Sequence, residues 1–575
     1  MTGATGMRYH ALACDYDGTI AHDGKVDEAT VAGLERLAGS GRKLLLVTGR
    51  ELDDLLRVFP EVELFDLVVA ENGALLYRPA DRSATPLAER PPEAFAAALR
   101  DRGVDPLSVG RVIVATWHPN ETTVLQVIRE LGLELEIIFN KGAVMVLPPG
   151  VNKASGLAAA LAELGLSPHN TVGVGDAEND HAFLSLCEVA VAVANALPAL
   201  KDRCDAVTDG ARGSGVVELV DWLLEDDLAG LRPRLARHDL LLGTREDGEE
   251  VRLAPQGTDV LVAGPSSSGK SNLVTGLLER LVERAYQVLV IDPEGDYETF
   301  TDVVHLGAHD RAPTVQEVLE ALEDPARSVI VNLLGSKLED RPGFLRELLF
   351  GLQELRARSG RPHRIVIDEA HHLLPADPGP AEPAPTPRLE DLILVAPHAD
   401  SIDPETLKPV GLVLALGDDP AATIRAYCDT AGADPPQTGP VRLEQEQVLG
   451  WWRDRERPVV FTYAPGTVER RRHIRKYAEG DLGEDKSFWF RGPDGTLNLR
   501  AQNLQLFLQV GDGVDDDTWL HHLRQGDYAR WFREAVKDDA LAAEAEETRR
   551  RHGDDPDKSR ARIREAIRHR YTAPA

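Results

Sequence analysis

Two short motifs, each set directly after an apolar run, constrain the fold of this chain more than anything else in it. Gly264-Pro265-Ser266-Ser267-Ser268-Gly269-Lys270-Ser271 follows Val260-Leu261-Val262-Ala263 and precedes a helical pattern over 272–284. Strand, glycine-rich loop and helix in that order form a P-loop. Its backbone amides and Lys270 cradle nucleotide phosphates, and Ser271 ligates magnesium. Cys14-Asp15-Tyr16-Asp17-Gly18-Thr19 ends another apolar run near the start of the chain. Asp15 and Asp17 stand two apart, so on a continuing strand both carboxylates point the same way. One can attack phosphorus while the other moves a proton to the leaving group. Gly18 lets the chain turn back. Acidic turns of this kind also occur in ordinary loops, so the motif needs company.

The surrounding pattern supplies it. Apolar runs at 9–14, 43–48, 67–70, 171–174 and 189–193 alternate with helical periodicities such as 29–38 and 153–164. Strands alternating with helices predict a parallel sheet covered on both faces. Residues 84–150 break the rhythm, with a helix at 91–100 and strands at 111–115, 135–138 and 143–147. That is a small α+β insertion. A second alternating region, about 240–475, predicts strands at 260–263, 287–291, 328–333, 364–367, 392–396 and 410–416. Within it, residues 375–387 hold six prolines and few hydrophobes, which predicts a mobile loop. From about 484 the composition changes again: Phe488-Trp489-Phe490, an acidic turn at 512–517, Trp519, Trp531 and a charged, helix-forming tail.

At 575 residues the chain exceeds a single core and predicts three or four domains. No apolar run reaches the roughly 18 residues that span a bilayer, and the first residues lack the regions of a signal peptide. Four scattered cysteines, 14, 187, 204 and 428, read as reduced thiols and not as a zinc site. A cytoplasmic protein with no membrane partner is expected. The net charge of −31 argues against a surface that coats nucleic acid throughout, without excluding a local basic channel. The one clearly basic run is Lys558, Arg560, Arg562, Arg564, Arg568 and Arg570 against Glu565, which reads as a solvated terminal helix.

Three further pieces join Asp15 and Asp17 in a consistent order. Leu46-Val47-Thr48-Gly49-Arg50 ends a strand with a hydroxyl, and Asn152-Lys153 opens a helix with a cation. Gly173-Val174-Gly175-Asp176-Ala177-Glu178-Asn179-Asp180 ends another strand with two more carboxylates. All four pieces fall at one end of one sheet, where an open α/β fold places its ligands. The set resembles the haloacid dehalogenase (HAD) phosphatases, and more narrowly their Cof-like branch. Glu71-Asn72-Gly73-Ala74 and Val193-Ala194-Asn195-Ala196 are similar to that branch too.

The resemblance implies an HAD core of Rossmann-like parallel type over 1–83 and 151–228, with a cap at 84–150. It implies Asp15 as the nucleophile that forms an aspartyl-phosphate, and Asp17 as general acid and then base. Thr48 and Lys153 bind the phosphoryl oxygens. Mg2+ sits among Asp15, Asp17 (through its backbone carbonyl), Asp176 and Asp180, and Asp180 also steadies Lys153. Asn179 is a weaker candidate for orienting the phosphate. Asp23 and Asp27 read as surface acids. In the cap, Trp117, His118, Asn140 and Lys141 are candidate substrate contacts, although each reads more simply as structural. A short cap suits a small phosphorylated metabolite, such as phosphoglycolate or a sugar phosphate.

Arg364-Ile365-Val366-Ile367-Asp368-Glu369 supplies the second half of an ATPase site. Asp368 ends a buried strand and can bind the water shell of a metal, while Glu369 can polarise the attacking water. Asp368-Glu369-Ala370-His371 spells a helicase box, but residues 287–297, QVLVIDPEGDY, look like the HerA/FtsK branch of P-loop ATPases. That resemblance implies an α/β ATPase domain over 229–478. Gly264, Ser268, Gly269, Lys270, Ser271 and Asp368 would bind ATP and its magnesium, and Glu369 would be catalytic. It also implies a homo-oligomer, in its usual form a hexameric ring. His398 stands where that branch often has a glutamine sensor, and Arg425 or Arg442 could reach a neighbouring subunit's nucleotide. Residues 479–575 read as a mostly helical interaction or oligomerisation module, their aromatics as core.

The leading expectation is a magnesium-dependent phosphomonoesterase coupled to, or regulated by, an ATP-hydrolysing domain. One alternative is an ATP-driven nucleic-acid motor with an accessory phosphatase. A lower one is a phosphatase that processes nucleic-acid ends.

Overall fold

The computed structural model describes residues 7–140, 142–231, 235–265, 268–376, 387, 389–466, 487–493, 495, 497–536 and 538–571. Lys141, Ser266, Ser267 and most of the proline-rich stretch 375–387 therefore lie outside the described residues, as do the side chain of Arg570 and residues 1–6.

The alternation of apolar runs becomes two mainly parallel sheets. The first has the order Ala206–Val207, Val189–Ala192, Thr171–Gly175, Ala11–Cys14, Lys43–Val47, Leu67–Ala70, Leu75–Arg78, Ser83–Pro86. Its first six strands run parallel, and the last two are added by antiparallel pairing. Ala11–Cys14, Leu67–Ala70, Thr171–Gly175 and Val189–Ala192 are buried at every position. This is why they read as unbroken apolar runs and not as alternating ones. Ala11–Cys14 pairs with Lys43–Val47 on one side and Thr171–Gly175 on the other. Chain connections leave it in both directions, which opens a crevice beyond its C-terminal end.

The insertion is a four-stranded antiparallel sheet, ordered Leu107–Val109, Val114–Trp117, Ala143–Leu147, Glu136–Asn140, with helices Glu93–Asp101 and Glu121–Glu130. The helix Glu121–Glu130 was not read from the sequence. Ser83–Pro86, whose start at 84 the sequence assigned to the insertion, pairs in the core sheet. Its residues are mostly exposed and polar, so it carries no apolar signal. A core carboxylate helps tie the insertion down: Glu71, 1% exposed, accepts the backbone N–H groups of Arg111, Val112 and Ile113 at 2.9, 2.7 and 2.9 Å.

The second sheet has eleven strands among the described residues, ordered Glu250–Leu253, Leu240–Thr244, Val459–Tyr463, Gln447–Trp452, Val410–Ala415, Asp259–Ala263, Leu392–Ala396, Arg364–Ile367, Val288–Asp292, Val329–Asn332, Val304–Leu306. The seven from Val410–Ala415 onward are parallel, and the other four form an antiparallel edge. Leu392–Ala396 lies between the P-loop strand and the strand that carries Asp368.

The two sheets meet through the residues that precede their strands. Asn170, just before Thr171–Gly175, donates to the carbonyls of Arg8 (2.9 Å) and Gly360 (3.4 Å). Its Oδ1 lies 3.0 Å from His363 Nε2, just before Arg364–Ile367. Arg361, 1% exposed, donates to Gln287 Oε1, Leu322 O, Gly165 O and Glu323 O at 3.0–3.1 Å. Glu188, just before Val189–Ala192, accepts from Tyr286 Oη at 2.7 Å and lies 2.7 Å from His169 Nδ1. Arg8 pairs with Asp391 at 3.5 Å. The sheets are thus joined base to base, with both sets of C-terminal strand ends turned outward. The protein's remaining unit, dominated by residues after 468, is a hairpin, Phe488–Phe490 with Leu499–Ala501, and helices that enclose Phe488, Phe490, Phe507, Trp519, Tyr528, Trp531 and Phe532. These aromatic residues are therefore core.

Candidate active sites

At the outer end of the first sheet, Asp15 follows Ala11–Cys14 and is 4% exposed. Lys153 opens the helix Lys153–Glu163, whose start is fixed by a capping box between Asn152 and Ser155. The helix can dock there because Gly73, at φ +106°, has no side chain: a Cβ would lie 1.9 Å from the carbonyl oxygen of Asn152. Lys153 Nζ consequently reaches Asp15 Oδ1 at 2.5 Å and Asp180 Oδ1 at 2.6 Å. The other oxygen of Asp15 accepts from Thr19 Oγ1 at 3.2 Å. Asp180 Oδ2 accepts the N–H groups of Asp176 and Ala177, both at 2.8 Å, which folds the loop after Thr171–Gly175 around it.

Ligand atoms of Asp15, Asp176 and Asp180 lie within 4.8 Å of one another. Among the described residues, the Lys153 ammonium sits with these three buried carboxylates and bonds two of them, Asp15 and Asp180. Burial, with the charge of Asp180, pushes the Asp15 carboxyl up to about 7, against the pull of Lys153. Burial disfavours the Lys153 ammonium, but Asp15 and Asp180 outweigh it and hold the lysine charged. The site therefore has an excess of negative charge on oxygen donors, which a hard divalent cation fits.

Thr48 is buried beside this group at the end of Lys43–Val47, and its Oγ1 accepts the Arg50 N–H at 3.1 Å. The side chain of Asp17 is not among the three clustered carboxylates. Both its oxygens are held by Arg50, Nε to Oδ2 and Nη2 to Oδ1, each at 2.6 Å, and Arg50 Nη1 also donates to Asp54 at 2.6 Å. Asn179 Nδ2 donates to Asn72 Oδ1 at 3.2 Å, and the Asn72 N–H donates to the Thr48 carbonyl. In the cap, Trp117 is half exposed and His118 Nδ1 lies 2.9 Å from Glu121. Asp23 is exposed, and Asp27 caps the helix Glu28–Gly39. Sequence reading gave no role to Thr19 or Arg50, and no spacing marks either as a partner of these aspartates.

At the outer end of the second sheet, Gly269 takes φ +98°, and a Cβ there would lie 2.5 Å from Tyr463 Oη. Lys270 is buried and donates to the carbonyls of Gly264 (2.5 Å) and Pro265 (3.0 Å). Ser271 follows in the helix Lys270–Glu283, and the Ser268 hydroxyl is buried without a hydrogen-bond partner. Asp368 and Glu369 are buried beyond Arg364–Ile367, and the Glu369 N–H donates to Asp368 Oδ1 at 3.0 Å. Glu369 has φ +43°, a left-handed turn that aims its carboxylate away from the strand. His371 Nδ1 lies 3.4 Å from it. Burial, with the neighbouring cationic groups, lowers the His371 pKa.

His398 lies exposed beyond Leu392–Ala396. Arg425 is exposed on the helix Pro420–Ala431, 3.9 Å from Asp419, and Arg442 is exposed. Neither arginine joins the P-loop group within this chain. Asp292, buried at the end of the strand beside Asp368, is a further acid the sequence reading passed over.

Comparisons with known proteins agree with this division. Residues 12–105 and 118–220 match the haloacid dehalogenase-like hydrolase family, and residues 258–341 match the central domain of helicase HerA. A phosphoglycolate phosphatase of Haloarcula marismortui is 31% identical over 218 residues, 36% of this chain and 95% of its own. One from Methanothermobacter thermautotrophicus is 29% identical over 222 residues, 36% of this chain and 96% of its own. Phosphoglycolate phosphatase 2 of Saccharolobus solfataricus is 36% identical over 118 residues, 20% of this chain and 49% of its own. A solved haloacid dehalogenase-like hydrolase from Bacteroides thetaiotaomicron aligns with 37% of this chain and 99% of its own at 17% identity, TM-score 0.34. With Asp15, Lys153, Asp176 and Asp180 gathered at one sheet end, the chain belongs through its N-terminal part to the haloacid dehalogenase-like hydrolases, and residues 258–341 behind it match the central domain of helicase HerA.

Proposed function

We infer that the N-terminal domain hydrolyses a small phosphorylated metabolite through an aspartyl-phosphate and that the central domain binds and hydrolyses ATP. The observation that carries the first half is the buried Asp15, set between Lys153 and Thr19 at a crevice that also gathers Asp176 and Asp180. The relatives named as phosphoglycolate phosphatases support the same reaction class.

A carboxylate oxygen of Asp15 forms a bond to phosphorus as the bond to the leaving oxygen breaks, and Asp17 supplies the proton that oxygen needs. Water then attacks the same phosphorus, passes its proton to Asp17, and releases phosphate and free Asp15. Lys153 and Thr48 hold the phosphoryl oxygens throughout. Mg2+ held by Asp15, Asp176 and Asp180, with the Asp17 carbonyl, would offset charge on the transferring group. Arg50 keeps the Asp17 carboxylate in one place between the two steps. In the central domain, Lys270, Ser271 and Asp368 take the nucleotide phosphates and their magnesium, and Glu369 orients the water. His398 and a trans arginine, Arg425 or Arg442, complete the site in a homo-oligomeric ring.

Phosphate release from small phosphomonoesters and from 3′- and 5′-phosphorylated DNA, with magnesium and with or without ATP, tests this reading. Ester turnover that vanishes in Asp15→Asn supports the phosphatase. An ATP effect lost in Lys270→Ala supports coupling. Activity confined to the DNA ends would make this an end-processing enzyme.

The match to the central domain of helicase HerA favours a second reading, an ATP-driven nucleic-acid motor with an accessory phosphatase. ATP turnover stimulated by DNA in a salt-sensitive way, without turnover of any ester, would put that reading first.

A further inference from the structure

The roof of the phosphatase crevice carries a feature that the hydrolytic steps do not use. The cap strand Glu136–Asn140 lies against the turn Glu178–Asp180, which belongs to the loop of Asp176 and Asp180. Ile138 of that strand pairs with Met145 of the neighbouring one. Met145 Sδ, Asn179 Nδ2 and Asn72 Oδ1 all lie within 4 Å of where a Gly49 Cβ would be, next to Thr48. Two side-chain carbonyl oxygens in this seam, Asn140 Oδ1 and Asn179 Oδ1, are buried and have no hydrogen-bond partner. The orientation of Asn179 is set by its own amide, which donates to Asn72.

A buried amide oxygen without a donor is costly, and a pair of them on the two elements that meet here, one in the cap strand and one in the turn of Asp180, calls for donors brought by the ligand. We propose that Asn140 and Asn179 form the recognition pair for the leaving group and select a phosphomonoester whose leaving group carries a hydroxyl near the ester carbon. The proposal rests on the phosphatase reading above. A hydroxyl can donate to either oxygen. The carboxylate of phosphoglycolate can only accept and gives neither oxygen a donor. Ethyl phosphate offers nothing and leaves both oxygens unpaired. Sites built around a substrate hydroxyl reject the analogue that lacks it far more strongly than apolar pockets reject a missing methylene.

The test compares kcat/KM for glycerol 3-phosphate, ethyl phosphate and phosphoglycolate with magnesium, in wild type, Asn140→Ala and Asn179→Ala. The expected wild-type order puts glycerol 3-phosphate ahead of both others by on the order of 100-fold. In each variant the glycerol 3-phosphate to ethyl phosphate ratio falls by roughly 10-fold or more. Ethyl phosphate turnover reports in the same experiment that each variant is folded. Equal ratios in wild type and variants overturn the assignment of these residues. Phosphoglycolate as the best substrate overturns the hydroxyl selection. Failure of every ester, with Asp15→Asn indistinguishable from wild type, refutes the phosphatase reading itself and the recognition pair with it.

Discussion

Replacing Lys153 with methionine tests the electrostatic design of the crevice. The side chain is 1% exposed, with its ammonium 2.5 Å from Asp15 and 2.6 Å from Asp180. Methionine keeps most of the volume and removes the charge, leaving Asp15 and Asp180 buried without the ammonium they share. Breaking a buried pair in this way costs about 3–5 kcal/mol. For a domain of this size that corresponds to a fall in Tm of roughly 6–20 °C.

The sign of the pH dependence follows from Asp15. Its carboxyl already stands at about 7 in the folded protein, above its ordinary unfolded value, and loss of the lysine raises it further. At low pH the group is protonated in folded and unfolded chains alike, and no penalty arises. As pH rises from the unfolded value to the folded one, the folded state must keep a proton that the unfolded state has released, and above the folded value it buries a bare charge. Stability is lost in that direction. The Tm gap between wild type and Lys153→Met, followed by differential scanning fluorimetry, should therefore widen from pH 5 to pH 8.5 and narrow when magnesium is added. Ester hydrolysis should drop by roughly 100- to 1,000-fold, as for loss of a group that stabilises developing charge. A gap of equal size at both pH values, or a variant retaining more than about a tenth of wild-type activity, would refute the reasoning.

Arg50→Ala removes the guanidinium that holds both oxygens of Asp17, and steady-state kinetics should show kcat reduced by about 10- to 100-fold with little change in KM. Glu71→Ala removes the acceptor of three cap N–H groups and should destabilise the cap by roughly 1–3 kcal/mol, seen as faster hydrogen exchange at 111–113 while the central strands stay protected. Arg361→Ala removes the guanidinium that donates to Gln287, Leu322, Gly165 and Glu323 at the joint between the sheets and should cost about 3 kcal/mol, read as protease sensitivity of both domains at a lower temperature. Gly269→Ala needs a left-handed alanine and a Cβ inside contact distance of Tyr463, so binding of a fluorescent ATP analogue should weaken at least tenfold while ester hydrolysis persists.

The parts of this molecule that were legible in its sequence are those where one strand end carries one job. Asp15, Thr48, Asp176 and Lys270 each follow a fully buried parallel strand or open its helix, and a run such as Leu67–Ala70 announces itself because both of its faces are covered. Partners were another matter. Arg50 is 33 positions from Asp17, and Glu71 is about 40 from the N–H groups it receives, so only the fold brings them together. The strand Ser83–Pro86 and the antiparallel edge of the second sheet were also missed. Ser83–Pro86 is mostly exposed and owes its place to backbone pairing, which leaves little trace in side-chain pattern, while Gln447–Trp452 and Leu240–Thr244 are placed by antiparallel pairing with strands distant in sequence.

The same logic hid the joint. Asn170, Glu188, Tyr286, Arg361 and His363 each look incidental in sequence, yet together they bind the two sheets at the ends opposite their chemistry. Strands of four to six residues rise about 3.3 Å per residue. Two sheets joined at their bases therefore put the Asp15 crevice and the P-loop roughly 35 Å apart, facing away from each other. No substrate, phosphate or water can pass directly between sites so arranged. If ATP turnover changes ester hydrolysis, the change has to travel through Gln287, Arg361 and their partners as a shift in packing. Arg361→Ala should then abolish an ATP effect on the phosphatase at a temperature where both activities survive. An ATP effect that persists at full size in that variant would mean that the two sites are linked by another route, such as neighbouring copies in a ring.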